Sequence, residues 1–336
     1  MNPTILAIES SCDDTSAAVI KDGKISANIV ATQAVHEKYG GVVPELASRA
    51  HEQNIIPVVS QALLTANITK SELNAVAFTR GPGLLGALLV GCSFAKSFAL
   101  GLNIPLIEVN HMQAHILAHF IDDPKPKFPF LCLTVSGGHT QIVLVKNYLD
   151  MQVLGQTTDD AVGEAFDKSA KLLGLPYPGG PLLDKMAQTG NPDKYTFPIV
   201  NMPGYNYSFS GIKTAILNFV NNNKQVNPDF ISENLPDICA SIQQALIQTL
   251  MKKLVSAAQE TGIKEIAIAG GVSANSGLRQ TMITYAAKYG WQIYIPAFEY
   301  CTDNAAMIAI TAHYKYFAGR FTDQYASPDP RLKITF

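Results

Sequence analysis

One pattern occurs twice in this chain and restricts its possible folds. Residues 4–9 (TILAIE) are an apolar run, SSCDD follows as a polar turn, and residues 16–21 (SAAVIK) return as a second run. Residues 130–135 (FLCLTV), the turn SGGH and residues 141–145 (QIVLV) repeat the arrangement, with Ser10 and Ser136 at equivalent points. Runs of this length around a polar turn read as β-hairpins. In the first copy an Asp22-Gly23 pair, a strong hairpin signal, leads into a third strand from Lys24. A second unit also recurs: AVAFTRGPGLLGALLV (75–90) and EIAIAGGVSANSGLRQ (265–280) both read as strand, glycine-rich turn and helix. The chain is therefore expected to be a duplicated, two-lobed α/β fold with a mixed sheet in each lobe. The expected division is 1–128 and 129–336, the second lobe carrying a mostly helical insertion at about 150–260. A helix over 45–66 opened by Pro44, a strand over 105–109 and a helix from His111 complete the first lobe. Asn221-Asn222-Asn223 and the proline-rich residues 122–129 are expected to be flexible loops.

Composition sets the limits of function. The 336 residues suggest about two domains, and 47% hydrophobic against 15% charged residues supplies large cores and excludes disorder. A net charge of −2 is not that of a stand-alone nucleic-acid binder. The longest apolar stretch, residues 84–95, falls short of the roughly twenty that a membrane span needs and predicts a buried helix. The first residues carry no basic region and turn acidic at once, so no signal peptide and no membrane association are expected. Five scattered cysteines without a CxxC fit a reducing cytoplasm, with neither a disulfide framework nor a structural zinc cluster.

Two hairpin turns facing each other across a cleft make a phosphate clamp, because backbone N–H groups point at the anion and glycine permits close approach. Ser136-Gly137-Gly138 has this character, and Ser11, Asp13 and Asp14 are its counterparts in the first half. The turn from Gly270 to Asn275 lies between a buried strand and a helix, which suits a nucleotide. It is neither G-x-G-x-x-G nor a Walker A loop. Each turn taken singly also reads as an ordinary strand-to-helix connection.

His111 and His115 share a helix face at metal-ligand spacing, behind a plausible N-cap at Asn110. Asp303, expected to begin the last helix, adds a carboxylate; it also reads as an N-cap. Two imidazoles and one carboxylate with open positions make a catalytic rather than a structural site. His119, one turn further on, is a rival ligand, read here as packed or solvent-facing. A zinc-protease reading fails because Met112 and Gln113, not a glutamate, follow His111.

ESSCDDT (9–15), HEKYGGVVPELASRAH (36–51), TRGPGLLGALLVG (79–91), NHMQAH (110–115), VSGGHT (135–140), DDAVGEAFDK (159–168), PYPGGPLLD (176–184), FSGIKTA (209–215), AGGVSANSGLR (269–279) and CTDNAAMIA (301–309) together resemble the tRNA N(6)-adenosine threonylcarbamoyltransferase family, once described as a sialoglycoprotease. The resemblance implies the actin-like, sugar-kinase-like (ASKHA) fold around a central nucleotide cleft. It implies transfer of a threonylcarbamoyl group from threonylcarbamoyl-adenylate, with release of AMP. The acceptor is the exocyclic amine of the adenosine 3′ of the anticodon in tRNAs reading codons that begin with A. His111, His115 and Asp303 match the family's metal ligands, and the donor set suits iron(II) or zinc. Thr134, Val135, Ser136, Gly137 and Gly138 match the strand and turn that hold the adenylate; Asp167, Gly180 and Asn275 match further nucleotide contacts. Asp184 falls where the family is less uniform, and Ser11, Asp13 and Asp14 match its first phosphate loop, Asp14 standing where many relatives have Glu. Asp167 also reads as a helix-surface charge, Gly180 as a turn and Asn275 as a helix cap. The implied partners are tRNA, a paralogous inactive subunit and a small ATPase subunit.

The mechanism expected is acyl-type transfer with Asp14, Asp13 and Ser11 as the catalytic group. Two other readings stand beside it: an ATP-dependent phosphotransferase or ATPase of the same fold, and a non-catalytic nucleotide-binding scaffold.

Overall fold

The computed structural model describes residues 2–334. Packing gathers them into two units, one containing residues up to Lys125 with Lys146–Met151 and the segment from Pro296 onward, the other Pro126–Val145 and Gln152–Ile295. The last helix and the C-terminal segment thus lie with the first unit, whereas the expected division at 128/129 put them in the second.

The first unit is built on β1 (Ile5–Glu9), β2 (Asp14–Lys21), β3 (Lys24–Thr32), β4 (Ala75–Gly81) and β5 (Leu106–Asn110), in the order β3-β2-β1-β4-β5. β1, β2 and β3 are antiparallel neighbours, and β4 and β5 continue parallel to β1. Asp22 and Gly23 both adopt positive φ, as a tight β2–β3 hairpin requires. Every residue of β1 is buried, so the sheet is covered on both faces. Leu6 and Ile8, with Val19, Val76 and Phe78, pack against α1 (Pro44–Thr65) and α2 (Leu85–Leu102). The strand's two-residue period turns Ile5, Ala7 and Glu9 to the opposite face. The last helix of the chain packs against β1, β2, β3 and β5.

α2 is not buried all round, as its composition suggested. Ala87, Leu88, Cys92, Ala95 and Ala99 face the core, while Leu85, Leu89 and Leu100 are exposed. It is long and apolar enough to cross a membrane by composition, yet one side of it packs on β4 and α1. α3 (His111–Leu117) begins directly after β5.

The second unit repeats the plan. β6 (Phe130–Val135), β7 (Thr140–Asn147), β8 (Asp150–Gln156), β9 (Glu265–Ala269) and β10 (Gln292–Tyr294) lie in the order β10-β9-β6-β7-β8. β6 and β7 form an antiparallel hairpin, and β9 runs parallel to β6, as β4 does to β1. The insertion opens with strand β8 and then supplies α4 (Val162–Leu172), α5 (Gly179–Ala187), α6 (Ser210–Val226) and α7 (Phe230–Thr261). Asn221-Asn222-Asn223 lie inside α6, not in a flexible loop: three asparagines are poor helix formers, but Ile212, Ile216 and Val220 anchor the helix at core spacing. α8 (Ser276–Tyr289) follows β9, and α9 (Ala305–Phe317) is the last helix among the described residues.

The glycines of the 79–91 motif have a steric purpose in the first unit. A Cβ on Gly83 would lie 2.4 Å from the Ser11 carbonyl oxygen, and the next residue, Leu84, donates its N–H to that same oxygen at 2.8 Å. The first residues of α2 therefore rest on the polar turn that follows β1. Gly83→Ala is expected to displace that turn and cost about 1–3 kcal/mol. A urea titration checks this, and an unchanged midpoint would contradict the close approach.

Candidate active site and metal centre

β1, β4 and β5 are parallel, so their carboxyl ends come together at one edge of the first sheet. There β1 ends in Glu9, β4 carries Thr79, and β5 ends at Asn110, which N-caps α3. The Asn110 side chain accepts from the N–H groups of Met112 and Gln113 at 2.9 and 3.1 Å. The cap fixes where the helix begins and places His111 at its first position. The next turn brings His115 beside it, the two rings edge-to-face with centroids 4.7 Å apart. Asp303 lies just before α9 and is not its cap: Asn304 is, accepting from Met307 N–H, while Ala305 N–H bonds Ser16 Oγ on β2.

These elements converge on one point. Asp303 Oδ1 lies 3.2 Å from His115 Nε2 and 3.4 Å from His111 Nε2. One donor atom from each residue falls within 4.8 Å of the others. His111 and His115 are buried. His119 is buried in the short 3-10 turn after α3, outside this group.

The surroundings are rich in negative charge. Burial opposes ionisation of Asp303, but the two imidazoles hold its carboxyl far below the usual range. Burial also works against a charge on His111, yet Asp303 and Glu9 carry it well above the ordinary histidine value. Burial pushes His115 below the ordinary histidine value, against the pull of Asp303. Asp14, at the start of β2, is pushed up to about 7 by burial and then by the neighbouring Asp303 charge. Its Oδ1 is buried with no hydrogen-bond partner among the described residues. Cys12 is held as a thiol by burial and by Asp13 and Asp303. Burial and the Asp303 charge work against ionisation of Glu9, yet His111 and Ser11 bring its carboxyl below the ordinary value, while Asp303 and Glu9 both add to the rise of Asp14. Two imidazole Nε2 atoms and a carboxylate oxygen in such a site fit a divalent cation.

Two neighbours escaped the sequence reading. Glu9 is fully buried; its Oε2 lies 3.1 Å from His111 Nδ1 and accepts from Thr79 Oγ1 at 2.6 Å, while Oε1 accepts from Ser11 N–H at 2.5 Å. The available signal was its phase: an acidic residue in register with Ile5 and Ala7 on a buried strand points inward. His51 on α1 was the other. It bonds Thr15 Oγ1 through Nδ1 at 2.8 Å and the Cys12 carbonyl through Nε2 at 3.0 Å, so it ties the Cys12–Asp14 turn to α1. Ser11 Oγ lies 3.2 Å from His111 Nδ1. Ser11, Asp13, Asp14, His111, His115 and Asp303 all belong to the first unit.

The other expected residues belong to the second unit. Thr134 and Val135 end β6, and Ser136 closes its turn by donating N–H to the His139 carbonyl at 2.8 Å while its Oγ accepts from His139 N–H. A Cβ on Gly137 or Gly138 would meet no atom within 4 Å, so the turn leaves open space over its backbone. Gly270, at positive φ, sits against the Val135 carbonyl, too close for any Cβ. The polar residues are occupied by helix ends. Asp167 Oδ1 accepts from Gly179 and Gly180 N–H at 3.0 Å each, the start of α5. Asp184 accepts from the N–H and hydroxyl of Ser276, and Asn275 caps α8 by accepting from Leu278 N–H. Capping is therefore what Asn275 does within the protein, and Asp167 is a partly buried acceptor, not a surface charge.

Two mixed sheets of one strand order, each opening with a hairpin, define a protein of the actin-like and sugar-kinase-like class. Full-length HypF in its phosphate- and nucleotide-bound form shares the fold, with a TM-score of 0.64 at 14% identity over 95% of this chain and 47% of that one. The ROK hexokinase of Thermus thermophilus does so at 0.50 and 14% identity, over 94% and 99%. The profile of the tRNA N6-adenosine threonylcarbamoyltransferase family matches residues 24–310. The tRNA N6-adenosine threonylcarbamoyltransferase of Cytophaga hutchinsonii is 67% identical, across 99% of this chain and 97% of its own. The chain belongs to the tRNA N6-adenosine threonylcarbamoyltransferase family.

The raised value of Asp14 gives a pH dependence with a definite sign. Its contribution to the stability of the metal-free protein is present while the carboxyl is protonated and is lost as pH rises through about 7. Asp14→Asn should therefore gain stability relative to wild type as pH climbs from about 4 to about 8. Chemical unfolding of the metal-free proteins measures it, and a difference constant with pH would contradict the assignment.

Proposed function

We propose that this chain transfers the threonylcarbamoyl group from threonylcarbamoyl-adenylate to tRNA. The acceptor is the exocyclic amine of the adenosine 3′ of the anticodon in tRNAs reading codons that begin with A. The observation that carries the reading is the convergence of His111, His115 and Asp303 beside Asp14, one of whose buried carboxylate oxygens has no partner among the described residues, in a chain of this family.

The amine nitrogen attacks the carbamoyl carbon, the bond from that carbon to the phosphate oxygen breaks, and AMP leaves with the electron pair. The attacking nitrogen loses one proton, and Asp14 takes it. A carboxylate whose proton affinity lies near neutrality suits a base, and Asp14 stands there with one buried oxygen free. Ser11 and Asp13 hold the same turn and orient the amine. Thr134, Val135, Ser136, Gly137 and Gly138 bind the adenylate through backbone N–H groups, the open space over the two glycines leaving room for phosphate oxygens. Asp167, Gly180, Asp184 and Asn275 shape the nucleotide site by fixing the starts of α5 and α8. A divalent ion, iron(II) or zinc, held by His111, His115 and Asp303 supplies a Lewis acid when bound.

The partners proposed are tRNA, a paralogous inactive subunit and a small ATPase subunit. Exposed Ile56 and Leu64 on α1 and Leu85, Leu89 and Leu100 on α2 support a protein partner on the first unit. The net charge of −2 supports shared rather than solitary tRNA binding. A reaction on tRNA supports a cytoplasmic location.

Mass spectrometry of tRNA nucleosides after depletion of this protein should show loss of threonylcarbamoyladenosine; an unchanged level with no backup enzyme would sink the reading. Asp14→Ala should slow single-turnover transfer by ~10²–10⁴-fold with adenylate binding little changed. Wild-type rates in both Asp13→Ala and Asp14→Ala would leave these residues only a turn-capping role. Elemental analysis should find that the His111→Ala, His115→Ala double variant loses its metal while His119→Ala retains it.

A further inference from the structure

We infer that Glu9 is a positioning residue of the metal centre, setting the tautomer and orientation of His111. The inference rests on the metal proposed above.

Glu9 has no exposed surface, and a buried carboxylate persists only where donors satisfy it. It has three: Ser11 N–H on Oε1, with Thr79 Oγ1 and His111 Nδ1 on Oε2. The first two come from the turn after β1 and from β4 and fix the carboxylate regardless of what the imidazole does. An ionised carboxylate only accepts, so the His111 nitrogen facing it must carry the proton. When the ring gives up its other proton, the lone pair is therefore on Nε2, the atom that converges with His115 Nε2 on Asp303. Outer carboxylates of this kind fix a ligand's ring and raise its basicity.

The second histidine offers the contrast. His115 Nδ1 is buried with no hydrogen-bond partner among the described residues. The centre is therefore asymmetric: the Nδ1 of His111 is braced by a carboxylate at the end of the central strand, and the Nδ1 of His115 has no such brace among the described residues. Glu9 lies where β1 ends, in the same phase as the buried Ile5 and Ala7. A packing role for that position would be filled by another apolar residue.

The test is zinc titration against a chromogenic chelator, on the full chain, paired with thermal melting of the metal-free protein. Glu9→Gln keeps the shape but loses the acceptor charge and should weaken zinc binding ~10–100-fold. Glu9→Asp keeps the charge but withdraws it from His111 by one methylene. It should also weaken zinc binding, and it serves where the glutamine variant fails to fold. A purely structural Glu9 would lower the melting midpoint and leave zinc affinity as in wild type, overturning the inference. His111→Ala separates the two levels. Zinc binding that survives it overturns the metal assignment and Glu9's role with it. Binding lost in His111→Ala but unchanged in the folded Glu9 variants overturns Glu9's role alone.

Discussion

His111 is bracketed by two carboxylates, Glu9 on Nδ1 and Asp303 on Nε2, and none of the three lies in bulk water. Much of the first unit follows from this arrangement. Buried carboxylates are tolerated only with donors and counter-charge nearby, so the chain must bring a hydroxyl, a backbone N–H and two imidazoles to the same edge of a sheet. It does so with parallel strands, whose carboxyl ends gather there. Open sheets of this kind present their ligand sites at that edge. Asn110 and Asn304 then start helices on either side of the centre and fix the depth at which His111 and Asp303 arrive.

The second unit uses the same strand order for another purpose. In the first, the hairpin turn is acidic and pinned: Ser11 to Leu84, Cys12 to His51, Gly83 against Ser11. In the second, the turn from Ser136 to His139 is closed on itself and held by the Gly163 N–H on the Ser136 carbonyl, but the space where a Cβ on Gly137 or Gly138 would sit is open. A pinned acidic turn suits proton handling, and an open glycine turn suits an anion. The duplication thus keeps the acidic turn and the open glycine turn in separate units, and a carboxylate placed at such a glycine turn would repel an anion.

Much of this was legible in the sequence. The repeated hairpin gave both sheets, and the spacing of His111 and His115, the cap at Asn110 and the Asp22-Gly23 turn were read as they stand. What failed did so for physical reasons. The Asn221-Asn222-Asn223 run was taken for a loop on local propensity, which the apolar face of α6 overrides. α2 was taken as buried throughout, because composition cannot distinguish a core helix from one with a greasy outer face. Asp303 was expected to begin the last helix or to cap it, but the cap is its neighbour Asn304, because Asp and Asn are both good caps. Glu9 was passed over although it stands in a quoted motif. A glutamate ending an apolar strand reads as the point where solvent begins, and only the neighbouring strands show that the edge is buried.

The central claim is that imidazole and carboxylate, not thiolate, form the centre. Cys12 and Cys301 are close in sequence to the turn and to Asp303, but neither belongs to the group of donor atoms formed by His111, His115 and Asp303. X-ray absorption at the zinc edge of the zinc-loaded protein reads the donors directly. Nitrogen and oxygen scatterers at about 2.0–2.2 Å with an imidazole pattern and no sulfur shell are expected. A sulfur scatterer at about 2.3 Å would contradict the account.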